Sequence, residues 1–159
     1  TKKTITTKKA PPGKKTCWTS PLRNTGLKQP KVDPKYTLLA QKSGSVTTYS
    51  NVFEGRSTST GDKFSQSKVS CAVPVRSTYS PSSDKKIVAR ITNPSNGITI
   101  DVPANDVGNF GYNSNGPNKY PTKTVGGKEL PRVADLSRAA SQKLGYPKVV
   151  KVSFYEVKK

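Results

Sequence analysis

The chain has 159 residues and a formal net charge of +19, with 28 lysines and arginines against nine acidic residues. This length allows one domain with an appendage and one modest core. The absence of histidine excludes Ser–His, Cys–His and His–metal catalysis together, so acid–base chemistry would have to use carboxylates. No apolar stretch is long enough for a membrane span or a signal-peptide core, and we expect neither a membrane span nor a secretion route.

Residues 1–42 form an arm rich in lysine and proline, in which Asp33 is the single acidic residue. Its prolines prevent a continuous helix, and few of its residues are apolar. The plain interpretation is a solvated basic tail. We favour an extended clamp along neighbouring subunits, because partner contacts would offset the entropy of ordering such a segment. Its expected subunit contacts are the larger apolar side chains Trp18, Leu22, Leu27 and Tyr36.

Cys17 lies in the arm, and Cys71 lies in the second region, residues 43–159. Two thiols without a histidine cannot form a conventional zinc site, and no metal or other cofactor is expected. The two cysteines form either one disulfide or two reduced thiols. We favour reduced thiols, because nothing in the sequence indicates an oxidising route.

The second region has the alternating pattern of a β-domain. Asn96-Gly97, between two alternating runs, predicts a β-hairpin. The polar segment Asn109–Lys128 predicts a long loop, a feature that commonly serves binding or assembly. Strands are predicted at Val46–Tyr49, within a segment that enters the domain from Leu38, and at Val69–Val75, Ile87–Thr92, Ile98–Val102 and Val149–Val157.

A single short helix is predicted at Asp135–Leu144. Its apolar residues, Leu136, Ala139, Ala140 and Leu144, share one face. Asp135 is interpreted as the N-cap, since aspartate before an apolar helical turn commonly accepts backbone N–H groups. Gly145 is expected to end the helix.

Four motifs of the second region occur in the order found in one family. They are Tyr49–Phe64, Ile91–Ile100, Asn105–Phe110 and Asp135–Gly145. In this order they resemble the opening, hairpin, N-D-x-G-P-F and D-L-S-x-x-A-A-x-x-L-G motifs of the RlpA-like double-psi β-barrel family, which is related in outline to expansins and family 45 endoglucanases. The resemblance covers about residues 46–157. It implies a mainly β fold, a six-stranded double-psi β-barrel with one short helix, preceded by the basic arm.

The resemblance also implies where a catalytic site would lie. Lytic members of the family place an acid, a histidine and an aspartate at the positions of Asp62, Val73 and Asp106. Asp62 is one methylene shorter than the family's glutamate, and Val73 cannot transfer a proton. Asp62 and Asp106 remain the catalytic candidates if the protein is an enzyme. The candidate glycan-binding residues are Tyr49, Asp106 and Tyr112.

The two candidate carboxylates also have simpler interpretations. Asp62 lies in the polar turn Ser57–Asp62, and Asp106 is typical of a turn whose carboxylate accepts backbone N–H bonds. General acid catalysis near neutral pH requires a carboxyl whose pKa is raised by burial or by a neighbouring negative charge. Asp62 lies in a polar turn of a strongly cationic protein, and Asp106, even if it is more deeply placed, has no histidine or second acid as a partner for proton transfer, so we expect no glycan cleavage.

Three functions are compatible with the sequence. The favoured one is a non-enzymatic structural component of a large assembly, such as a minor capsid or cement protein of a virion, with the arm contacting other subunits. The second is a peptidoglycan- or glucan-directed lytic enzyme, or an expansin-like wall-loosening protein, again compatible with a virion. The third is nucleic-acid binding by charge alone, because the basic residues lack interleaved aromatics and any known reading motif.

Overall fold

A computed structural model describes residues 33–75, 77–109 and 122–159 of the chain. These residues form seven strands, one short 3-10 helix at Asn51–Phe53 and one α-helix, α1 (Arg138–Lys143). The strands are β1 (Tyr36–Thr48), β2 (Cys71–Pro74), β3 (Ile87–Thr92), β4 (Thr99–Gly108), β5 (Thr122–Val125), β6 (Lys128–Leu136) and β7 (Val149–Val157).

Six of the strands close into a mixed barrel. Their order is β1-β7-β3-β4-β2-β6, and β6 pairs with β1 to complete the circle, while β5 pairs with β6 as an additional strand. The β1–β6 and β2–β4 pairs are parallel, and the other pairs are antiparallel. The predicted fold class, a mainly β six-stranded barrel with one short helix, is therefore confirmed for the described residues.

The barrel interior is built by strands that alternate buried and more exposed residues. On β3, Ile87, Ala89 and Ile91 are buried while the residues between them are partly exposed. Phe154 on β7 is fully buried and stacks on Tyr79, with ring centroids 4.0 Å apart. Burial of this apolar surface is the main favourable term in the folding of the barrel.

The β3–β4 hairpin is confirmed, with a six-residue connection that also holds the end of α1. Gly97 in this connection has a positive φ of 75°, and its N–H donates to Asn93 O. The side-chain amides of Asn93 and Asn96 both donate to the carbonyl of Leu144, the C-cap residue. Gly145 follows with a φ of 76°, and a Cβ there would lie 2.6 Å from the Asn96 amide. Gly145 therefore ends the helix as predicted.

The predicted N-cap of α1 is wrong. The N-cap is Ser137, whose hydroxyl accepts the N–H groups of Ala140 and of Ser70. Asp135 instead belongs to β6, and the helix begins at Arg138. A serine satisfies the same backbone donors as an aspartate without placing a charge in a buried position.

Strands β5 and β6 were not predicted, and the first strand begins earlier than expected. The predicted loop Asn109–Lys128 is wrong in its last part, because β5 lies within it. Pro131 and the charged residues of Lys128–Leu136 obscure the β pattern, although the segment is paired along both edges. Strand β1 begins at Tyr36 and pairs with β7, so the predicted boundary between residues 42 and 43 falls inside a barrel strand. Residues 36–42 are therefore part of the barrel rather than the arm.

Several expectations concern residues outside the described ranges. Trp18, Leu22 and Leu27 of the arm, Cys17 and the loop residue Tyr112 all lie there. Tyr36, the fourth expected subunit contact, is partly exposed, and its ring lies 5.8 Å from that of Tyr155. Within the described ranges, no helix has the length and apolar character of a membrane span.

Candidate functional site

Four residues from four adjacent strands form a row across the outside of the barrel. Asp106 on β4 pairs with Ala72 on β2, Ala72 pairs with Asp135 on β6, and Asp135 pairs with Thr47 on β1. Directly opposed residues of neighbouring strands point to the same face of a sheet. We call Asp106, Ala72, Asp135 and Thr47 the outer row.

The face of the row follows from the neighbours of its members. Cys71, Val73 and Leu136 belong to the main hydrophobic core, whereas Ala72 packs in a separate cluster with Tyr49 and Phe64. Successive side chains of a strand point to opposite faces. The outer row therefore lies outside the barrel wall.

Residues 49–70, which we call the covering loop, lie over one part of the row. Tyr49 stacks on Phe64 with ring centroids 4.3 Å apart, and both rings are buried against Ala72. Gln66 fastens the loop, because its amide donates to Tyr49 O and its side-chain oxygen accepts the N–H of Arg138 at the start of α1. The loop thus encloses Ala72 and places Tyr49 beside Asp106.

Asp106 accepts three hydrogen bonds from different parts of the chain. The Tyr49 hydroxyl donates to Oδ2 at 2.9 Å, and the N–H groups of Ser59 and Val107 donate to Oδ1 at 3.0 and 2.9 Å. The predicted bonding of this carboxylate to backbone N–H groups is confirmed. Its predicted position in a turn is wrong, because β4 continues through Asp106 to Gly108.

The hydroxyl of Tyr49 remains a donor over the ordinary pH range. Burial raises the pKa of Tyr49, and the neighbouring charge of Asp106 and the bond to that carboxylate raise it further. Loss of the phenolic proton would place two negative charges in contact. Tyr49, one of the candidate glycan-binding residues, is therefore buried and holds Asp106 rather than offering a ring face to a ligand.

Asp135 is the second carboxylate of the outer row, and the sequence analysis did not identify it as a site residue. Its Oδ1 accepts the Thr47 hydroxyl at 2.9 Å, and an Arg132 guanidinium N–H donates to the Thr47 oxygen at 2.7 Å. Burial raises the pKa of Asp135, the bond from Thr47 and the charge of Arg132 oppose this shift, and the charge of Asp106 adds to it. Asp135 therefore holds its proton to higher pH than an ordinary aspartate.

The two remaining candidate positions, Val73 and Asp62, lie apart from the outer row. Val73 is on the inner face of β2, and Asp62 is on the covering loop. Val73 is fully buried in the core, so the residue that takes part in the outer row is its neighbour Ala72. Asp62 is exposed, and its Oδ2 lies 3.0 Å from the Thr60 hydroxyl within the predicted polar turn. That hydroxyl also lies 3.1 Å from the carbonyl of Asn105, so the turn contacts β4 next to Asp106.

Cys71 lies on the inner face and takes no part in the site. It is a free thiol with no exposed surface in the described part of the chain. Burial, assisted by the negative charge of Asp135, raises the pKa of Cys71. A thiol in this state is a poor nucleophile, because the thiolate is the reactive form.

The two carboxylates of the outer row have different environments. Asp106 accepts hydrogen bonds from Tyr49 and Ser59, whereas burial raises the pKa of Asp135. A carboxyl whose pKa is raised by burial, with a second carboxyl nearby, is an arrangement found in acid–base sites. The sequence signal for Asp135 was its position among the apolar residues Val133, Ala134 and Leu136, which a solvent-exposed N-cap would not require.

Compared with protein-family models and with the sequences of curated proteins, the chain gives no match.

Proposed function

We propose that this barrel binds glycan strands on its outer row and cleaves a glycosidic bond with Asp135 as the general acid. The observation that carries the proposal is the desolvated Asp135 carboxyl, whose pKa is raised, on the same row as Asp106. Glycosidic cleavage needs one carboxyl that keeps its proton and a second group that acts as base or stabilises positive charge. The sequence analysis required such an acid and did not find one.

Each residue of the row has a defined part in the proposed reaction. Asp135 donates its proton to the glycosidic oxygen as the bond to the anomeric carbon breaks. Thr47 and Arg132 fix the orientation of that carboxyl. A water molecule forms the new bond to the anomeric carbon, and Asp106 faces the positive charge that develops on the sugar or accepts the proton of that water.

The spacing of the two carboxylates suits this division of roles. Asp106 and Asp135 are separated by one intervening strand, β2, so their backbones lie roughly 10 Å apart at ordinary strand spacing. Ala72 between them is covered by Tyr49 and Phe64, so a sugar has to approach the two carboxylates from the uncovered ends of the row. Such a separation favours direct displacement over a covalent glycosyl intermediate.

The resemblance to the RlpA-like double-psi family is part of the same proposal. Its support is the closed six-stranded mixed barrel with two parallel strand pairs, and the position of three of the four motifs along the outer row or beside α1. Three departures from the family pattern remain: Val73 at the position of the histidine, Val107 at that of the usual arginine and Asn109 at that of the proline. They are consistent with a site in which Asp135, rather than a histidine, supplies the proton.

The role as a structural component of an assembly stays a separate proposal. It rests on the composition of the basic arm, which lies outside the described residues, and charge-driven nucleic-acid binding has the same basis. Neither requires the geometry of the outer row. A protein that assembles with partner subunits but leaves glycans intact would favour the structural role.

The proposed reaction is tested with purified peptidoglycan and with soluble β-glucan, followed by mass spectrometry of the released fragments. Asp135→Asn should lower the rate about 100- to 10,000-fold, the usual contribution of a general acid. Asp84→Asn, which removes an exposed carboxylate from a surface loop, is the matched control and should leave the rate unchanged. Asp106→Asn should also slow the reaction.

The pH dependence gives a second readout for the same proposal. The rate should fall as the pH rises through the raised pKa of Asp135, because the acid then loses its proton. No fragments from the native protein, or an equal rate with Asp135→Asn, would contradict the proposal.

A further inference from the structure

We infer that Phe53 and Arg56 form a subsite beside the outer row that binds a glycan carrying carboxylate groups. This inference rests on the proposed function and names the class of glycan. The subsite lies on the covering loop, whose buried aromatic residues lead directly to Asp106. Its ligand is a sugar chain with a negative charge near the ring that stacks on Phe53.

Phe53 is the exposed end of a continuous aromatic group. Its side chain is 40% exposed, and its ring packs edge-on against Tyr49 with centroids 5.6 Å apart at an angle of 81°. Tyr49 in turn stacks on Phe64 and donates its hydroxyl to Asp106. A sugar that stacks on Phe53 is therefore one aromatic ring away from a carboxylate of the site.

The surface formed by Phe53 and Arg56, which we call the platform, is held in place although it lies on a loop. Ser50 caps the 3-10 helix that contains Phe53, and the backbone of Arg56 donates to Phe53 O and accepts the N–H of Phe64. At the other end of the loop, Gln66 donates its backbone N–H to the Glu54 carboxylate at 2.7 Å. A preorganised surface of this kind loses little conformational entropy when a ligand binds.

Arg56 supplies the charge that selects an anionic ligand. Its guanidinium carbon lies over the Phe53 ring, 5.5 Å from the centroid, so the cation covers one face of the ring and a sugar would have to stack on the other face. Among the described residues, Arg90–Asp101 is the salt bridge of the structure, and Arg56 has no carboxylate partner there. The nearby acidic side chains of the loop, Glu54 and Asp62, are engaged by Gln66 and by Thr60.

Arg56 supplies the positive charge of the platform, while the Phe53 ring can contact the apolar face of a pyranose. A guanidinium binds carboxylates in a bidentate geometry that a neutral glycan cannot offer. The carboxylate can come from an acidic sugar or from a peptide attached to the chain. The shared chemistry is a carboxylate within reach of a stacked ring, and the experiment separates the two sources.

The test measures binding by isothermal titration calorimetry in the Asp135→Asn background, which prevents turnover during the titration. The probes are hexagalacturonate, peptidoglycan fragments that keep their stem peptides, and neutral cellohexaose. Phe53→Leu should weaken every glycan that binds by about tenfold, because the stacking surface is lost. Arg56→Gln should weaken the anionic probes about twofold to fivefold, the scale of one exposed ion pair, and leave cellohexaose unchanged.

Lys68→Gln is the matched control, since it removes a positive charge from the same loop at an exposed position. It should have no effect beyond the general loss of one charge, which added salt suppresses. Preferential loss of hexagalacturonate binding in Arg56→Gln assigns the carboxylate to an acidic sugar, and preferential loss of the peptidoglycan fragments assigns it to the peptide.

Unchanged binding in both Phe53→Leu and Arg56→Gln would overturn the subsite, and so would cellohexaose binding as tightly as the two anionic probes. The proposed function survives either result if the native protein still cleaves glycans and Asp135→Asn does not. The failure of the subsite is thus distinguishable from the failure of the proposed reaction.

Discussion

The two faces of the barrel wall at β2 and β6 give their residues different environments. On the inner face, Cys71 and Leu136 have no exposed surface and contact other apolar side chains. On the outer face, Asp135 is bonded to Thr47 while it remains partly exposed. Asp135 and Leu136 are neighbours in sequence, yet Leu136 packs in the core and Asp135 is the proposed general acid.

This difference shows how a small barrel can hold a partly buried carboxyl with a raised pKa. The inner face is filled, so no site can lie inside the barrel, and polar groups must be placed on the outer wall. An outer wall is normally well solvated, which would leave a carboxyl with ordinary properties. The covering loop changes this, because Tyr49 and Phe64 remove water from part of the row.

The largest expected effect on stability comes from the inner face. Leu136→Ala should lower the free energy of unfolding by about 2–5 kcal/mol, because it removes a fully buried side chain and leaves a cavity. Urea denaturation followed by circular dichroism measures the change. Leu38→Ala is the matched control: Leu38 is 50% exposed, and its loss should cost less than about 0.5 kcal/mol. Equal losses for the two variants would contradict the distinction between the faces.

An intermediate effect is expected at the junction between the barrel wall and α1. Ser137→Ala should cost about 0.5–2 kcal/mol, the range measured for N-cap residues, since the buried N–H groups of Ser70 and Ala140 lose their acceptor. Thermal unfolding gives the measurement, with the exposed Ser83→Ala as the control. A neutral result for Ser137→Ala would mean that Asp135, as first interpreted, or another group caps the helix.

The smallest expected effect on stability has the opposite sign and depends on pH. The folded state raises the pKa of Asp135 above its unfolded value, so ionisation of this group costs stability as the pH rises through the folded pKa. Asp135→Asn remains neutral and should melt at a higher temperature than the native protein at about pH 7.

The advantage of Asp135→Asn should shrink as the pH is lowered and should vanish below the ordinary pKa of an aspartate, where the native carboxyl is protonated in both states. Melting curves at a series of pH values provide the measurement. The exposed Asp84→Asn should show no such trend. A native protein that is more stable than Asp135→Asn at neutral pH would show that the carboxylate is stabilised in its charged form.

The sequence was sufficient to predict the parts of the fold that local patterns determine. Alternation placed β3 and β7, and Asn96-Gly97 placed the hairpin between β3 and β4. Strand β6 was not predicted, because Pro131 interrupts its pattern and its hydrogen-bond partners lie far away in the sequence. Local preference is a weak guide where pairing with distant strands decides the conformation.

The candidate site was predicted only in part for a related reason. The bond from the Val107 N–H to Asp106 followed from its sequence neighbourhood, whereas the bonds from Tyr49 and from the Ser59 N–H come from a segment more than 40 positions earlier. Asp135 was interpreted by its preference for helix N-caps, but Ser137 fills that role. Its raised pKa depends on burial and on residues of other strands, which no local pattern reveals.

The position of β1 between β7 and β6 has a consequence for the order in which the chain can fold. Residues 36–48 find both of their strand neighbours in the last third of the chain, at Lys128–Leu136 and Val149–Val157. A growing chain on the ribosome therefore carries β1 with neither edge paired until nearly all of the barrel has been translated. Long-range pairings of this kind slow folding and prolong the time during which strand edges are open to other chains. During synthesis, the edges of β1 therefore stay open to pairing with other chains until β7 has left the ribosome.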